Sequence, residues 1–131
     1  MSESLNSTDK YHWSEAEKWA WEEIIAGRKA NFNKKYKTLD PKKEEGWDST
    51  TNDRTISAKF LSEILTDQQL SAKAYKKGVR IIGAYFKETL DLKYTKLDYQ
   101  LWLDDCRFME SLNLDLMKID DWFSLEGSHF E

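Results

Sequence analysis

Four aspartates stand as adjacent pairs, Asp104–Asp105 and Asp120–Asp121, and paired carboxylates are the first arrangement to test for acid–base chemistry. A working dyad needs both groups turned toward one reacting atom. Neighbours on an extended strand face opposite sides, so each pair reads as a corner carrying one or two solvated acids. The single cysteine, Cys106, excludes an internal disulfide and reads as a small core residue rather than a nucleophile. The two histidines, His12 and His129, lie far apart in the chain, and no Ser-His-Asp arrangement can be assembled around either. The sequence has no glycine-rich nucleotide loop, no flavin or haem motif and no metal-ligand spacing. The expectation is a protein without catalysis and without a cofactor.

Charge offers more. Residues 79–131 carry eleven acids and six bases, whereas residues 1–78 carry thirteen acids and fourteen bases. Asp104, Asp105, Asp115, Asp120, Asp121 and Glu126 make the distal half a candidate acidic binding surface, one that repels nucleic acid and attracts a basic protein partner. Arg28, Lys29, Lys34, Lys35, Lys37, Lys42 and Lys43 stand against Asp40 alone and form a candidate basic arm. As function this is an anion-binding segment for phosphate or an acidic protein. As structure it is a solvated turn around Pro41, with Phe32 and Tyr36 to pin it.

The acids ride on a repeat. Written in elevens from Val79, the chain reads VRIIGAYFKET, LDLKYTKLDYQ, LWLDDCRFMES, LNLDLMKIDDW, FSLEGSHFE. The first, third and eighth positions are always apolar (Val79, Ile81 and Phe86 in the first copy), and the sixth is mostly small (Ala84, Thr95, Cys106, Ser128, with Met117 the exception). A period of eleven can be helical, but these positions do not fall on one helical stripe. Apolar residues two apart, such as Leu101 and Leu103, point to one side of an extended chain. Short strands joined by corners, all turning one apolar side inward, describe a β-solenoid. The small sixth residue is expected at the corner. A meander of hairpins is the alternative, and it would favour Asn-Gly or Asp-Gly turns, which the sequence lacks.

Ahead of the repeat the pattern is helical. Ser14 and Glu17 form a capping box for a helix reaching about Ala26, with Ala16, Ala20 and Ile24 on one face and Gly27 as its stop. A second helix is expected from Arg54 to about Thr66, capped by Asp53 or Thr55. Its stripe of Ile56, Phe60, Leu61, Ile64 and Leu65 would close the first coil. Residues 67–77 add a further helical turn, and the polar first ten residues are expected to fray.

The spacing of a small residue two places before a large one, as in Ala84–Phe86, Thr95–Leu97, Cys106–Phe108 and Ser128–Phe130, resembles the pentapeptide-repeat family. That resemblance implies a right-handed, four-sided β-helix, here about two and a half coils with two elevens per coil. The order IIAGRKANFN, EEGW, DRTISAKFLSEIL, YKKGVRIIGA likewise resembles the helical cap of some bacterial pentapeptide-like proteins, whose larger members are sometimes labelled membrane-associated oxidoreductases.

The fold class expected is therefore α+β: a helical cap over 1–78 with a basic connecting stretch, then β-solenoid repeats over 79–131. No apolar run is long enough to span a membrane and no signal peptide opens the chain, so a cytoplasmic location is expected. The function expected is a protein-binding scaffold, with self-association through the C-terminal coil as one form of it. The alternatives are an acidic, DNA-mimicking inhibitor of a nucleic-acid-binding protein, and the N-terminal fragment of a larger membrane-associated enzyme.

Overall fold

The computed structural model describes residues 11–74 and 77–131, so the polar N-terminal ten residues and residues 75–76 of the expected turn at 67–77 lie outside the described part. The first helix, α1 (Glu15–Ile25), starts on the expected box: the Ser14 hydroxyl accepts from the Glu17 amide at 3.2 Å, and Glu17 Oε1 accepts from the Ser14 amide at 2.9 Å. The other oxygen of Glu17 accepts the Ser57 amide at 2.7 Å. Ser57 is the N-cap of the helix Ala58–Thr66, so one buried carboxylate holds the starts of two helices together. Ala16, Ala20, Trp21 and Ile24 are buried, and Trp13 packs edge-on against Trp21 and Phe60. The tryptophans at 13 and 21 are therefore packing residues.

After Gly27, which takes the left-handed φ of 80° expected of a helix stop, comes an element with no sequence signal. Ala30–Asn31 forms a two-residue strand, β1, followed at once by the short helix α2 (Phe32–Lys35). The next helix, α3, spans Ala58–Thr66 and begins four residues later than the pattern predicts. Arg54 to Ile56 is extended instead, and pairs beside Tyr85: the Ile56 amide donates to the Tyr85 carbonyl and the Tyr85 amide to the Arg54 carbonyl, both at 2.9 Å. Ile56 stands four before Phe60, so its burial by a strand-like segment looks like one more step of a helical stripe. α4 (Gln68–Lys73) follows, its start held by Asp67 Oδ1, which accepts from the amides of Gln69 and Leu70.

The remaining strands are β2 (Val79–Ile82), β3 (Tyr85–Phe86), β4 (Leu90–Asp91), β5 (Lys96–Leu97), β6 (Leu101–Asp104), β7 (Arg107–Phe108), β8 (Leu112–Asn113), β9 (Lys118–Ile119), β10 (Phe123–Ser124) and β11 (His129–Phe130). All named pairings are parallel, which excludes the hairpin meander. Val79 pairs with Leu101 and Leu101 with Phe123; Phe86 pairs with Phe108 and Phe108 with Phe130. Leu90 pairs with Leu112, and Leu97 with Ile119. The chain thus returns to the same sheet after two elevens, visiting four small sheets in turn. Inside, Val79, Ile81, Ala84, Phe86, Leu90, Leu92, Leu97, Leu101, Leu103, Cys106 and Phe108 are buried together with the faces of α1 and α3. Phe86, Phe108 and Phe130 stack as near-parallel rings with centroids 4.8 and 4.4 Å apart.

The corner lies one residue earlier than the small sixth position implies. Every fifth position is left-handed: Gly83 (φ 74°), Tyr94 (64°), Asp105 (52°), Leu116 (55°) and Gly127 (74°). In three of the copies a turn bond follows, from the amides of Thr95, Met117 and Ser128 to the carbonyls of Leu92, Leu114 and Leu125. The sixth residue comes straight after that corner and points inward, which is why Ala84 and Cys106 are fully buried. Ser128 shows the use of a small polar group there: its hydroxyl donates to the Leu103 carbonyl at 2.6 Å and accepts the Cys106 amide at 3.0 Å.

These corners are separable by mutation. A Cβ on Gly83 would lie 2.6 Å from Asn33 Oδ1, so Gly83→Ala combines a left-handed penalty with a clash and is expected to cost about 2 kcal/mol or more. Leu116→Gly relieves the same penalty on a side chain that is 75 % exposed, and is expected to gain roughly 0.5–1 kcal/mol. Urea denaturation of the two variants measures both signs, and a loss on Leu116→Gly would contradict this account of the corner.

Candidate functional site

The acidic residues do not converge on one face. Asp104 and Asp105 sit at the corner between β6 and β7, with Glu126 at the equivalent corner one circuit later. Asp115 sits between β8 and β9, and Asp120 and Asp121 between β9 and β10. Several are engaged in holding backbone. Asp104 Oδ1 accepts from the Ser124 hydroxyl at 2.6 Å and the Glu126 amide at 3.0 Å, and Asp121 Oδ1 accepts from the Trp122 amide at 2.7 Å. The Asp105 carboxyl is raised by partial burial and then by the nearby charges of Asp104 and Glu126. Among the described residues no group of three or more His, Cys, Asp or Glu side chains is placed to hold a metal ion.

The basic run divides in two. Arg28, Lys29, Lys34 and Lys35 gather around a depression of about 650 Å³ beside α1, and Arg80 of β2 joins them. Arg28 is held by two hydrogen bonds to Glu23 at 2.9 and 3.1 Å, Lys29 lies over the Trp102 ring and Lys35 over the Trp19 ring. Lys37, Lys42 and Lys43 belong to a separate loop. The Lys37 carbonyl accepts from Arg54 at 2.8 Å, and the amides of Lys42 and Lys43 fold back onto Asp40. That loop is therefore a built part of the body and not a free arm.

Two cations that the sequence does not single out are buried. Arg54 is 1 % exposed; its guanidinium donates to Asn33 Oδ1, the Gly83 carbonyl and the Lys37 carbonyl, and lies over the rings of Tyr36 and Trp47. None of these partners is a carboxylate, and burial pushes its pKa down. Arg107, 3 % exposed, donates to the Pro41 carbonyl at 2.7 Å and pairs with Glu131 at 2.9 Å. Cys106 has no exposure at all, and burial pushes its thiol up to about 12, which suits a core residue and not a nucleophile.

The two ends of the repeat differ. At the first coil, β1 pairs along β2, Thr55 pairs beside β3 and α3 packs on β4. At the other end β8, β9, β10 and β11 are each the last strand of their sheet among the described residues. Side chains that are buried one circuit earlier become half-exposed: Leu92 against Leu114, Leu97 against Ile119, Leu101 against Phe123 and Leu103 against Leu125. Phe130 is 41 % exposed and Trp122 63 %. Met109, Leu112, Leu114, Leu125, Phe130 and Glu131 help to line a depression of about 490 Å³ on this end.

No helix among the described residues is long and apolar enough to cross a membrane. No family model, curated protein or solved structure matches the chain.

Two titrations check this geometry. The Cys106 thiol is expected to resist a soluble disulfide reagent in the native protein and to react once urea unfolds it; stoichiometric labelling of the native protein would contradict its burial. For Asp105, a folded pKa above the unfolded value means that its contribution is favourable while protonated and is lost as pH rises through the folded pKa. Asp105→Asn is therefore expected to stabilise the protein more at pH 7 than at pH 3. Equal effects at both values, in melting curves, would leave only the tolerance of Asn for the left-handed corner.

Proposed function

We propose that this chain is a non-catalytic protein-binding scaffold: a helical cap on a short, right-handed, pentapeptide-repeat-like β-solenoid, which offers its last coil to a protein partner. What supports the solenoid reading is the regular parallel return to four sheets every two elevens. The observation that carries the binding reading is the contrast between the two ends. At one, β1 pairs with β2, Thr55 pairs beside β3 and α3 packs on β4, leaving β5 the end of its sheet; the other leaves all four strand edges without a partner among the described residues, around a half-exposed apolar interior. Unpaired parallel edges are templates for added strands, and exposed aromatics such as Trp122 and Phe130 are the side chains that anchor interfaces.

The simplest partner is a second copy meeting this end about a two-fold axis. A basic partner is favoured at the rim, where Asp115, Asp120, Asp121 and Glu126 are exposed. Charge mimicry of DNA is the weaker alternative, since the acids occupy separate corners and Asp104 is spent on backbone.

Sedimentation across a wide concentration range is the test. Association is expected to rise with concentration and to weaken at least about tenfold, ~1.4 kcal/mol, in Phe130→Lys, which places a charge on the last ring of the stack. A chain that stays monomeric, with slow amide exchange at Phe123–Phe130, would mean that this end needs no partner.

A further inference from the structure

We propose that the depression beside α1 is a binding site for a small molecule carrying two or more adjacent phosphate groups. This site lies on the side of the molecule, where α1, the segment 28–35 and the outer face of β2 meet, and it does not depend on the reading of the C-terminal coil. Five cations line it: Arg28, Lys29, Lys34, Lys35 and Arg80. The one carboxylate among them, Glu23, is already taken by Arg28. The depression therefore carries a formal charge of +4 in a chain whose net charge is −4.

Like charges drawn to one concave surface repel, and the cost falls only with solvation or with a bound anion. The cations are also positioned by groups that leave their charge unneutralised. Lys29 and Arg80 both lie against the Trp102 ring, Lys35 lies against Trp19, and Arg80 donates to the Gly27 carbonyl at 2.9 Å. Aromatic faces and a carbonyl orient a cation but do not cancel it. Glu23 records the resulting field, since its carboxyl is held below the ordinary range by Arg28 and in part by Lys35.

The ligand class follows from this geometry. The Arg80 guanidinium and lysines from the loop at Lys29 and from α2 match closely spaced phosphate oxygens, each of which accepts from a separate donor. A hollow of about 650 Å³ suits a small ligand with a body beyond its phosphates. The sequence offers four of the five cations as part of a longer basic run; it does not show that Arg80, some fifty residues away, joins them, or that Lys37, Lys42 and Lys43 of the same run stand outside.

Calorimetric titration of the full chain with sodium pyrophosphate, at near-physiological salt, tests the proposal. Saturable one-to-one binding is expected, with a change in tryptophan fluorescence from Trp19 and Trp102. Lys29→Glu with Lys35→Glu removes two charge-assisted contacts on exposed side chains and is expected to weaken binding at least tenfold. Lys42→Glu with Lys43→Glu makes the same change of net charge outside the depression and is expected to leave binding within about twofold. Circular dichroism confirms that each variant folds. Competition between pyrophosphate and phosphatidylcholine vesicles carrying a phosphorylated inositol lipid then separates a free ligand from a headgroup, as either source presents the same phosphates. Absence of saturable binding, or equal weakening by both double variants, would overturn the proposal. So would tighter binding of a single-stranded oligonucleotide than of pyrophosphate, which would assign the surface to nucleic acid.

Discussion

Parallel strands stacked circuit on circuit leave a row of backbone donors and acceptors open at each end, and the rest of this structure is organised by that requirement. Within the repeat each strand satisfies the next, as where the Arg107 amide reaches the Ala84 carbonyl at 3.0 Å and the His129 amide reaches the Cys106 carbonyl at 2.9 Å. The first circuit has no earlier circuit to bond. Two of its four edges, those of β2 and β3, are met by pieces of unrelated local structure: two residues of strand at Ala30–Asn31 and an extended Arg54–Ile56. An unpaired buried amide or carbonyl costs about 1–3 kcal/mol. Closing these edges therefore outweighs the local preferences of the segments that close them.

Holding such irregular segments in place calls for groups that can reach several carbonyls at once. Arg54 does this from the interior, joining the loop at Lys37, the side chain of Asn33 and the corner at Gly83. A buried cation without a carboxylate is costly, and Arg54 offsets this with directed hydrogen bonds and with two aromatic faces, Tyr36 and Trp47. Its Nε nevertheless has no partner. Gly83 completes the arrangement, since only a residue without a side chain lets the Asn33 amide approach that corner. Glu17 plays the matching part for the helices, one carboxylate answering the first amides of both α1 and α3.

How much of this was legible in the sequence depends on whether a feature repeats. The inward positions were readable because they recur two apart in five copies, and spacing of that kind has one simple structural meaning. The capping box was readable because both partners lie within one helical turn. β1 was not, as two residues between a helix stop and a short helix carry no period. The left-handed corners were placed one residue late, at the small sixth position; Gly83 and Gly127 carry the one residue type that favours this φ, while Tyr94 and Leu116 adopt it without any such signal. Arg54–Ile56 was misread as helix because Ile56 happens to keep step with Phe60. The two aspartate pairs do lie at corners, but composition counts charges without saying which corner each acid occupies. The basic run is divided by folding, which adds Arg80 from a strand.

The far end shows what the repeat does when no foreign segment closes it among the described residues. The last half-circuit keeps its register: Phe130 lies over Phe108 at 4.4 Å, and Arg107 reaches Glu131 at 2.9 Å from a nearly inaccessible position. Those contacts fix β11 on one of its two sides. Its other side presents the same spacing of inward residues that every internal circuit buries, at the interval of about 4.8 Å that separates paired strands. Partner strands docking on β10 and β11 would bring Phe123, Leu125 and Phe130 into the environment of Leu101, Leu103 and Phe108, which are almost wholly buried. Any partner that supplies a strand and an apolar face at that interval gains the hydrogen bonds and the burial together. In the proposed complex specificity would come from the rim, where Asp120, Asp121 and Glu126 are exposed.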